Sequence, residues 1–210
     1  MYVPRHFRVS DIEELHAFIA AHSFATLVSN LETGPLATHL PLILEAKPGE
    51  SGKLVGHMAR SNPHWQQLES AQPTLAIFHG PHAYISPTWY VSQPALPTWN
   101  YAAVHVYGNA LLIRDSRRVH RLLDDLIEAN ESRLSAPWAN DLPVEFREKM
   151  EQGVVAFELS IERIEGKFKL SQNRPPADQA AALEGLRSNN RDSDLVGFWD
   201  RLLHPRDDAA

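Results

Sequence analysis

The sequence predicts a mainly β protein, an antiparallel barrel with helices attached at its ends. Two observations carry that expectation. The middle of the chain is a succession of short β-type runs without the repeated strand–helix alternation that a doubly wound parallel sheet needs. The clearest of these runs places Val155, Phe157, Leu159 and Ile161 in alternation with Ala156, Glu158, Ser160 and Glu162, the pattern of a strand with one buried and one wet face.

The remaining elements follow in order. Ser10-Asp11-Ile12-Glu13 has capping-box spacing, and Ile12, Leu15 and Ile19 recur at helical intervals, so a first helix is predicted over 11–21. Strands over 24–29 and 36–45 flank Glu32-Thr33-Gly34, which reads as a hairpin turn. A short strand over 53–58 precedes Asn62-Pro63, an N-cap and first-turn proline for a helix to about Leu68. Strands over 74–79 and 83–86 are predicted to be broken by Gly80-Pro81. A proline-rich loop over 87–97 leads to a long extended stretch over 98–113, bent at Gly108. From Ser116 to Leu134 an apolar stripe of Val119, Leu122, Leu123, Leu126 and Ile127 marks an amphipathic helix, and a shorter helix follows Pro143. Helices are predicted again over 179–187 and 195–203, separated by a soft segment over 188–193. The expected domain organisation is a barrel over 1–174 with a helical extension over 175–210 packed on it.

Composition narrows the function. Apolar residues make up 43% and charged residues 22%, a balance that supports a packed core rather than a disordered chain. A net charge of −6 gives no long-range attraction for a polyanion. Cysteine is absent, which excludes disulfides, thiolate metal sites and a Cys nucleophile. The first residues form no signal peptide and no window approaches a membrane span, so a cytoplasmic protein without membrane contact is expected. The eleven histidines include no His-Glu-x-x-His, and His79 and His82 flank a Gly-Pro turn, so no metal site is assigned. Hydrolase elbows, phosphate-cradling Gly-Lys-Ser/Thr loops and dinucleotide fingerprints are likewise missing.

Several segments could bind a ligand. In Gly56-His57-Met58-Ala59-Arg60-Ser61-Asn62-Pro63 an arginine stands beside a helix N-terminus, where amides, dipole and guanidinium all favour a phosphate. An ordinary capped helix with a solvated arginine explains the same spacing. Pro41 lies inside the β-type run Leu36-Ala37-Thr38-His39-Leu40-Pro41, which predicts an edge or bulged strand with backbone groups open to a ligand, or a proline that merely guards a sheet edge. Tyr84, Trp89, Tyr90, Trp99 and Tyr101 cluster around the proline-rich loop, where aromatics can stack on a planar ligand, fill an interface or fill the core. The donors of 167–174 could close over an anion or simply solvate a strand end.

Taken together, Met1-Tyr2-x-Pro4-x-x-Phe7, Ala37-Thr38-His39-Leu40-Pro41, Gly56-His57-Met58-Ala59-Arg60-x-Asn62-Pro63, Gly80-Pro81-His82-Ala83-Tyr84-Ile85-Ser86-Pro87-x-Trp89-Tyr90, Pro97-Thr98-Trp99-Asn100-Tyr101 and Lys169-Leu170-Ser171-Gln172-Asn173-Arg174 resemble the PaiB-type FMN-binding negative transcriptional regulators. The resemblance runs to about Arg187 and implies a split β-barrel of the pyridoxamine-phosphate-oxidase-like kind with peripheral and C-terminal helices. It also implies a homodimer with FMN between the subunits. By this likeness Arg60, Ser61 and Asn62 hold the phosphate, His57 on the strand that leads to them also binds the cofactor, and Thr38, His39 and Leu40 border the ring. Trp99 and Asn100, with Lys169, Gln172 and Arg174, complete the pocket from the partner chain. One departure is that the loop over 91–96 is short and lacks the lysine expected after Trp89-Tyr90, so any contact made by that lysine is missing here. The tail over 191–210 falls outside the resemblance.

Three readings stay open on the residues. A flavin-binding regulator or sensor follows from the family, although no helix-turn-helix with a basic recognition helix is visible, so DNA enters as a partner only through the resemblance. An FMN-dependent reductase or oxidase needs no protein nucleophile, because flavin supplies the hydride chemistry; no catalytic residue is assigned. Heme on a similar barrel would use a histidine as axial ligand.

Overall fold

The computed structural model describes residues 1–70, 72–189 and 193–203. The chain divides into two compact units. Unit 1 contains Met1–Asp11, His79–Val104 and the chain from Glu165 onward; unit 2 contains Ile12–Phe78 and His105–Ile164.

Seven strands occur among the described residues: β1 (Arg8–Val9), β2 (Phe24–Leu31), β3 (Gly34–Glu45), β4 (Lys53–Ala59), β5 (Pro73–Ile85), β6 (Thr98–Ile113) and β7 (Val154–Lys169). The hydrogen-bonded order is β1-β7-β4-β3-β2-β5-β6, and β6 also pairs with β7, so six strands form a closed cycle. This is the mainly β split barrel that the sequence predicts, with helices α1 (Ile12–Ala21), α2 (His64–Leu68), α3 (Ser116–Glu131), α4 (Val144–Glu151), α5 (Pro176–Ser188) and α6 (Ser193–Leu203) attached. Among the described residues no helix is long and apolar enough to cross a membrane.

In unit 2, β2 and β3 form the expected hairpin. Leu31 faces Gly34 across a two-residue turn, and Gly34 takes a φ of +125° that a side chain would resist. Alternation then sorts the strands: Ala25 and Leu27 of β2, Leu40 and Leu42 of β3, and Leu54 and Met58 of β4 are buried. Full burial of one such leucine contributes about 1.5–3 kcal/mol. Gly108 lets β6 approach β7, because a Cβ there would lie 1.9 Å from the Ser160 carbonyl oxygen.

The face of β7 expected to be wet is partly covered. Ala156 is buried with Val55 against Leu122 and Leu126 of α3, its small side chain giving the helix room. The apolar stripe of α3 is thus used as predicted, and Asp115 caps the helix by accepting from the Arg118 amide at 2.9 Å. Further along the same strand Glu158 accepts from Arg118 and Lys53, which holds its carboxyl below the usual carboxylate range.

One sequence expectation holds locally and another needs correction. β3 lies between β2 and β4 in the sheet, yet it pairs with β4 only over Leu42–Glu45, so the run Leu36–Pro41 is laddered to β2 alone and its other side has no strand partner among the described residues, where Pro41 needs no amide. Gly80-Pro81, by contrast, does not break a strand: β5 is continuous, and its register with β2 ends at Ile77, before the proline is reached.

In unit 1, β1 pairs with the end of β7, Arg8 facing Lys167. Helices α5 and α6 bury Leu183, Leu186, Phe198 and Trp199, and Phe198 meets Phe168 edge to face at 5.0 Å. Parts of the segment expected to be soft (190–192) and the end of the tail (204–210) lie outside the described residues.

Candidate functional site

The turn from β4 to α2, in unit 2, carries the densest group of the residues selected from the sequence. Arg60 and Ser61 are exposed there. The Arg60 guanidinium donates through Nε to the Gln152 carbonyl at 2.7 Å and through Nη2 to the Val154 carbonyl at 2.8 Å. Its own amide donates to the Gly153 carbonyl at 2.8 Å. These bonds brace the side chain at one wall of a cavity of about 650 Å³ that Arg114 and Glu69 also line.

The helix that follows is only five residues long. Its opening amides are used internally: Asn62 N donates to the Ala59 carbonyl at 2.9 Å, and His64 N to Asn62 Oδ1 at 3.0 Å. The amide cradle expected from the sequence is therefore largely closed by the chain itself. Asn62 acts as the cap that its position predicts.

Asn62 also belongs to a polar network that sequence reading missed. Its Nδ2 donates to Thr38 Oγ1 at 3.1 Å, and Thr38 Oγ1 lies 2.8 Å from Nδ1 of His64. The other ring nitrogen, Nε2, lies 3.0 Å from Ser29 Oγ. His64 is fully buried, and burial pushes its pKa below the ordinary value, so the neutral ring joins β2, β3 and α2. No spacing signal announces this, because Ser29 and Thr38 meet His64 only through the β2–β3 hairpin.

The other unit 2 candidates divide. His39 is bonded through Nδ1 to Thr26 Oγ1 at 3.0 Å across the hairpin. Leu40 is buried in the core, so only its backbone can border a ligand. His57 does not share the network: it lines a different cavity, beside α3, and its Nδ1 is buried without a hydrogen-bond partner.

Unit 1 brings the remaining candidates into one neighbourhood. Trp99 is 54% exposed, with Tyr84 and His82 at centroid distances of 6.1 and 6.2 Å, which makes an open aromatic platform. Lys169 donates to Thr98 Oγ1 and to the Trp99 carbonyl beside it, and burial lowers its pKa. Asn100 is fully buried and donates to Ser171 Oγ at 3.0 Å. Gln172 is folded onto its own turn, accepting from Leu170 N and donating to the Phe168 carbonyl. The Arg174 guanidinium lies 4.4 Å from the centroid of the Tyr90 ring.

Residues 1–163 match the family described as "Putative FMN-binding domain". The chain belongs to this family. Among curated relatives it is 37% identical over 188 residues to the Protease synthase and sporulation protein PAI 2 of Bacillus subtilis, covering 90% of each chain. It is 29% identical to an uncharacterized protein of Emericella nidulans, over 75% of this chain and 77% of the relative. The PaiB-type resemblance read from the motifs therefore holds, and FMN is the cofactor of the family. Among solved structures, the flavocytochrome Anf3 from Azotobacter vinelandii superposes with a TM-score of 0.59 at 18% identity, covering 80% of this chain and 72% of that one. The FAD and heme binding protein from Mycobacterium smegmatis gives 0.57 at 16% identity over 83% and 79%. At such identities the likeness speaks for the fold.

The side chains suit that cofactor. A braced guanidinium at the wall of an open cavity, followed in the chain by an exposed hydroxyl, gives donors a phosphate can use, and a solvent-facing indole suits a flat ring.

Proposed function

We propose that this chain is an FMN-binding protein of the PaiB type in which Arg60 and Ser61 hold the phosphate and the β3 backbone over Thr38–Leu40 borders the ring. The observation that carries the reading is the bracing of Arg60 by the Gln152 and Val154 carbonyls, which pre-orders a cation at a cavity wall and so lowers the entropic cost of binding. Thr38, Asn62 and His64 support that turn from behind. Flavin supplies the redox chemistry when bound; the protein orients the ring and limits access to it.

In this reading two copies assemble so that Trp99 and Lys169 of one reach the flavin of the other, with Asn100, Gln172 and Arg174 holding the platform in shape. Exposed Trp99 and Tyr84 suit burial at such an interface. The protein works in the cytoplasm as a negative regulator or flavin-linked sensor, the role that the family resemblance supports. A second reading, an FMN-dependent oxidoreductase acting on a small molecule, is favoured by the net charge of −6, which gives no long-range attraction for DNA and leaves it only a local basic patch.

Absorbance of the purified, FMN-saturated protein tests the common core. Stoichiometric flavin is expected, with Arg60→Ala weakening FMN by at least about tenfold while the thermal midpoint is largely kept. Unchanged flavin affinity in that variant would remove Arg60 from the site. Bleaching by a nicotinamide donor selects the enzyme; a redox-inert protein that retards an operator fragment at physiological salt selects the regulator; a Soret band selects heme.

A further inference from the structure

Unit 1 concentrates cations on one face of its sheet. Glu165, Lys167 and Lys169 of β7 are two residues apart and so share a face, and Arg8 of β1 stands directly across from Lys167 on it. The Lys167 ammonium lies 5.2 Å from the centroid of the Tyr101 ring, which puts Tyr101, and with it Trp99 two residues away, on the same side. Trp99 in turn brings Tyr84 and His82, the aromatic platform described above.

The charge of this face is not balanced within it. Glu165, the carboxylate of the row, is paired with the Met1 amino group. Lys167 is only 8% exposed, yet its ammonium meets the Tyr2 carbonyl at 3.1 Å and the rings of Tyr2 and Tyr101. Lys169 spends two donors on Thr98 Oγ1 and the Trp99 carbonyl, and a third N–H remains. Among the described residues no carboxylate pairs with Arg8, Lys167 or Lys169. Burial, and then the Lys167 charge, lower the Lys169 pKa, as expected of neighbouring cations without a counter-ion. A buried charge with no counter-charge is costly, and an anion brought from outside relieves it.

We propose that this face binds an aryl carboxylate, its ring stacked on Trp99 and its acid group held by the Lys169 ammonium with Lys167 behind it. Because Lys169 is bonded to the Trp99 carbonyl, charge and indole lie within the span of one residue, the spacing of an acid group attached directly to a flat ring. An aryl ammonium meets only cations and is rejected. The face needs no flavin to take the acid; that the acid is the small molecule of an oxidoreductase rests on the reading above, in which Trp99 and Lys169 reach the flavin of a second copy.

Isothermal titration of the FMN-saturated full chain with benzoate and with benzylammonium, the flavin absorbance followed in parallel, provides the test. Benzoate is expected to bind at least about tenfold more tightly than the ammonium, and Lys169→Gln to weaken it by about tenfold. Lys167→Met should weaken benzoate by about threefold while the thermal midpoint holds or rises, because an uncompensated charge leaves a buried position; a residue that merely supported the fold would lower the midpoint. Benzoate that binds in this way and shifts the flavin bands supports both the acid site and the assembly, whereas binding without a shift supports the acid site and counts against a second copy's flavin lying over it. Equal binding of the two probes, no benzoate binding at millimolar concentration, undiminished affinity in Lys169→Gln, or displacement of benzoate by a short single-stranded oligonucleotide at physiological salt would overturn the proposal. Release of FMN by benzoate would overturn it as well, by placing the acid in the cofactor site.

Discussion

His64 and His57 stand seven residues apart in unit 2, and burial holds both rings neutral, yet their surroundings differ completely. The corner around His64 is closed: both ring nitrogens and its amide have partners in Thr38, Ser29 and Asn62, Asn62 also donates to Thr38, and Ser29 also meets the Thr74 hydroxyl. The surroundings of His57 are incomplete, with a buried ring nitrogen that has no hydrogen-bond partner. A buried polar group costs free energy unless it is paired, so the first arrangement stabilises the fold and the second leaves one hydrogen-bonding atom unused.

The largest expected effect comes from breaking the closed corner. His64→Leu removes one partner each from the Thr38 and Ser29 hydroxyls and should lower the free energy of unfolding in urea by about 2–4 kcal/mol; a loss under about 1 kcal/mol would show that the network carries little. Acid should come next. Both histidines have folded pKa values below the ordinary 6.5, so the unfolded chain takes up protons that the native state refuses. Stability is therefore complete above pH 6.5 and is lost as pH falls from that value toward the lowered native pKa values. Urea midpoints measured from about pH 8 to about pH 5 should show this decline, shallower in His64→Leu; a flat profile in the parent protein speaks against neutral buried rings. The smallest effect belongs to His57. His57→Leu removes an unpaired atom, so its cost should lie within about 1 kcal/mol of zero or be a gain, and a loss as large as that of His64→Leu would erase the distinction between the two regions.

The sequence revealed the elements better than the partnerships. Alternation in β7, the stripe of α3 and the Glu32-Thr33-Gly34 turn are local signals, and the structure uses each of them. Gly80-Pro81 misled because punctuation residues forbid a hydrogen bond only where a ladder demands one, and whether a ladder reaches that point is set by register with a distant strand. At the candidate site, Arg60 and the Asn62 cap were visible as types and spacings. That Arg60 is held by carbonyls more than ninety residues away, and that Asn62 spends both ends of its amide on scaffold, depends on pairing between β4 and β7 and on the β2–β3 hairpin. The unpartnered ring nitrogen of His57 was not legible at all, because a missing partner leaves no mark in a sequence.

The most direct measurement is a crystal structure grown with excess FMN. The account predicts the phosphate within hydrogen-bonding distance of the Arg60 guanidinium and the Ser61 hydroxyl, with the ring edge against the β3 backbone over 38–40. A phosphate bound elsewhere, with Arg60 still turned wholly to the Gln152 and Val154 carbonyls, would contradict it.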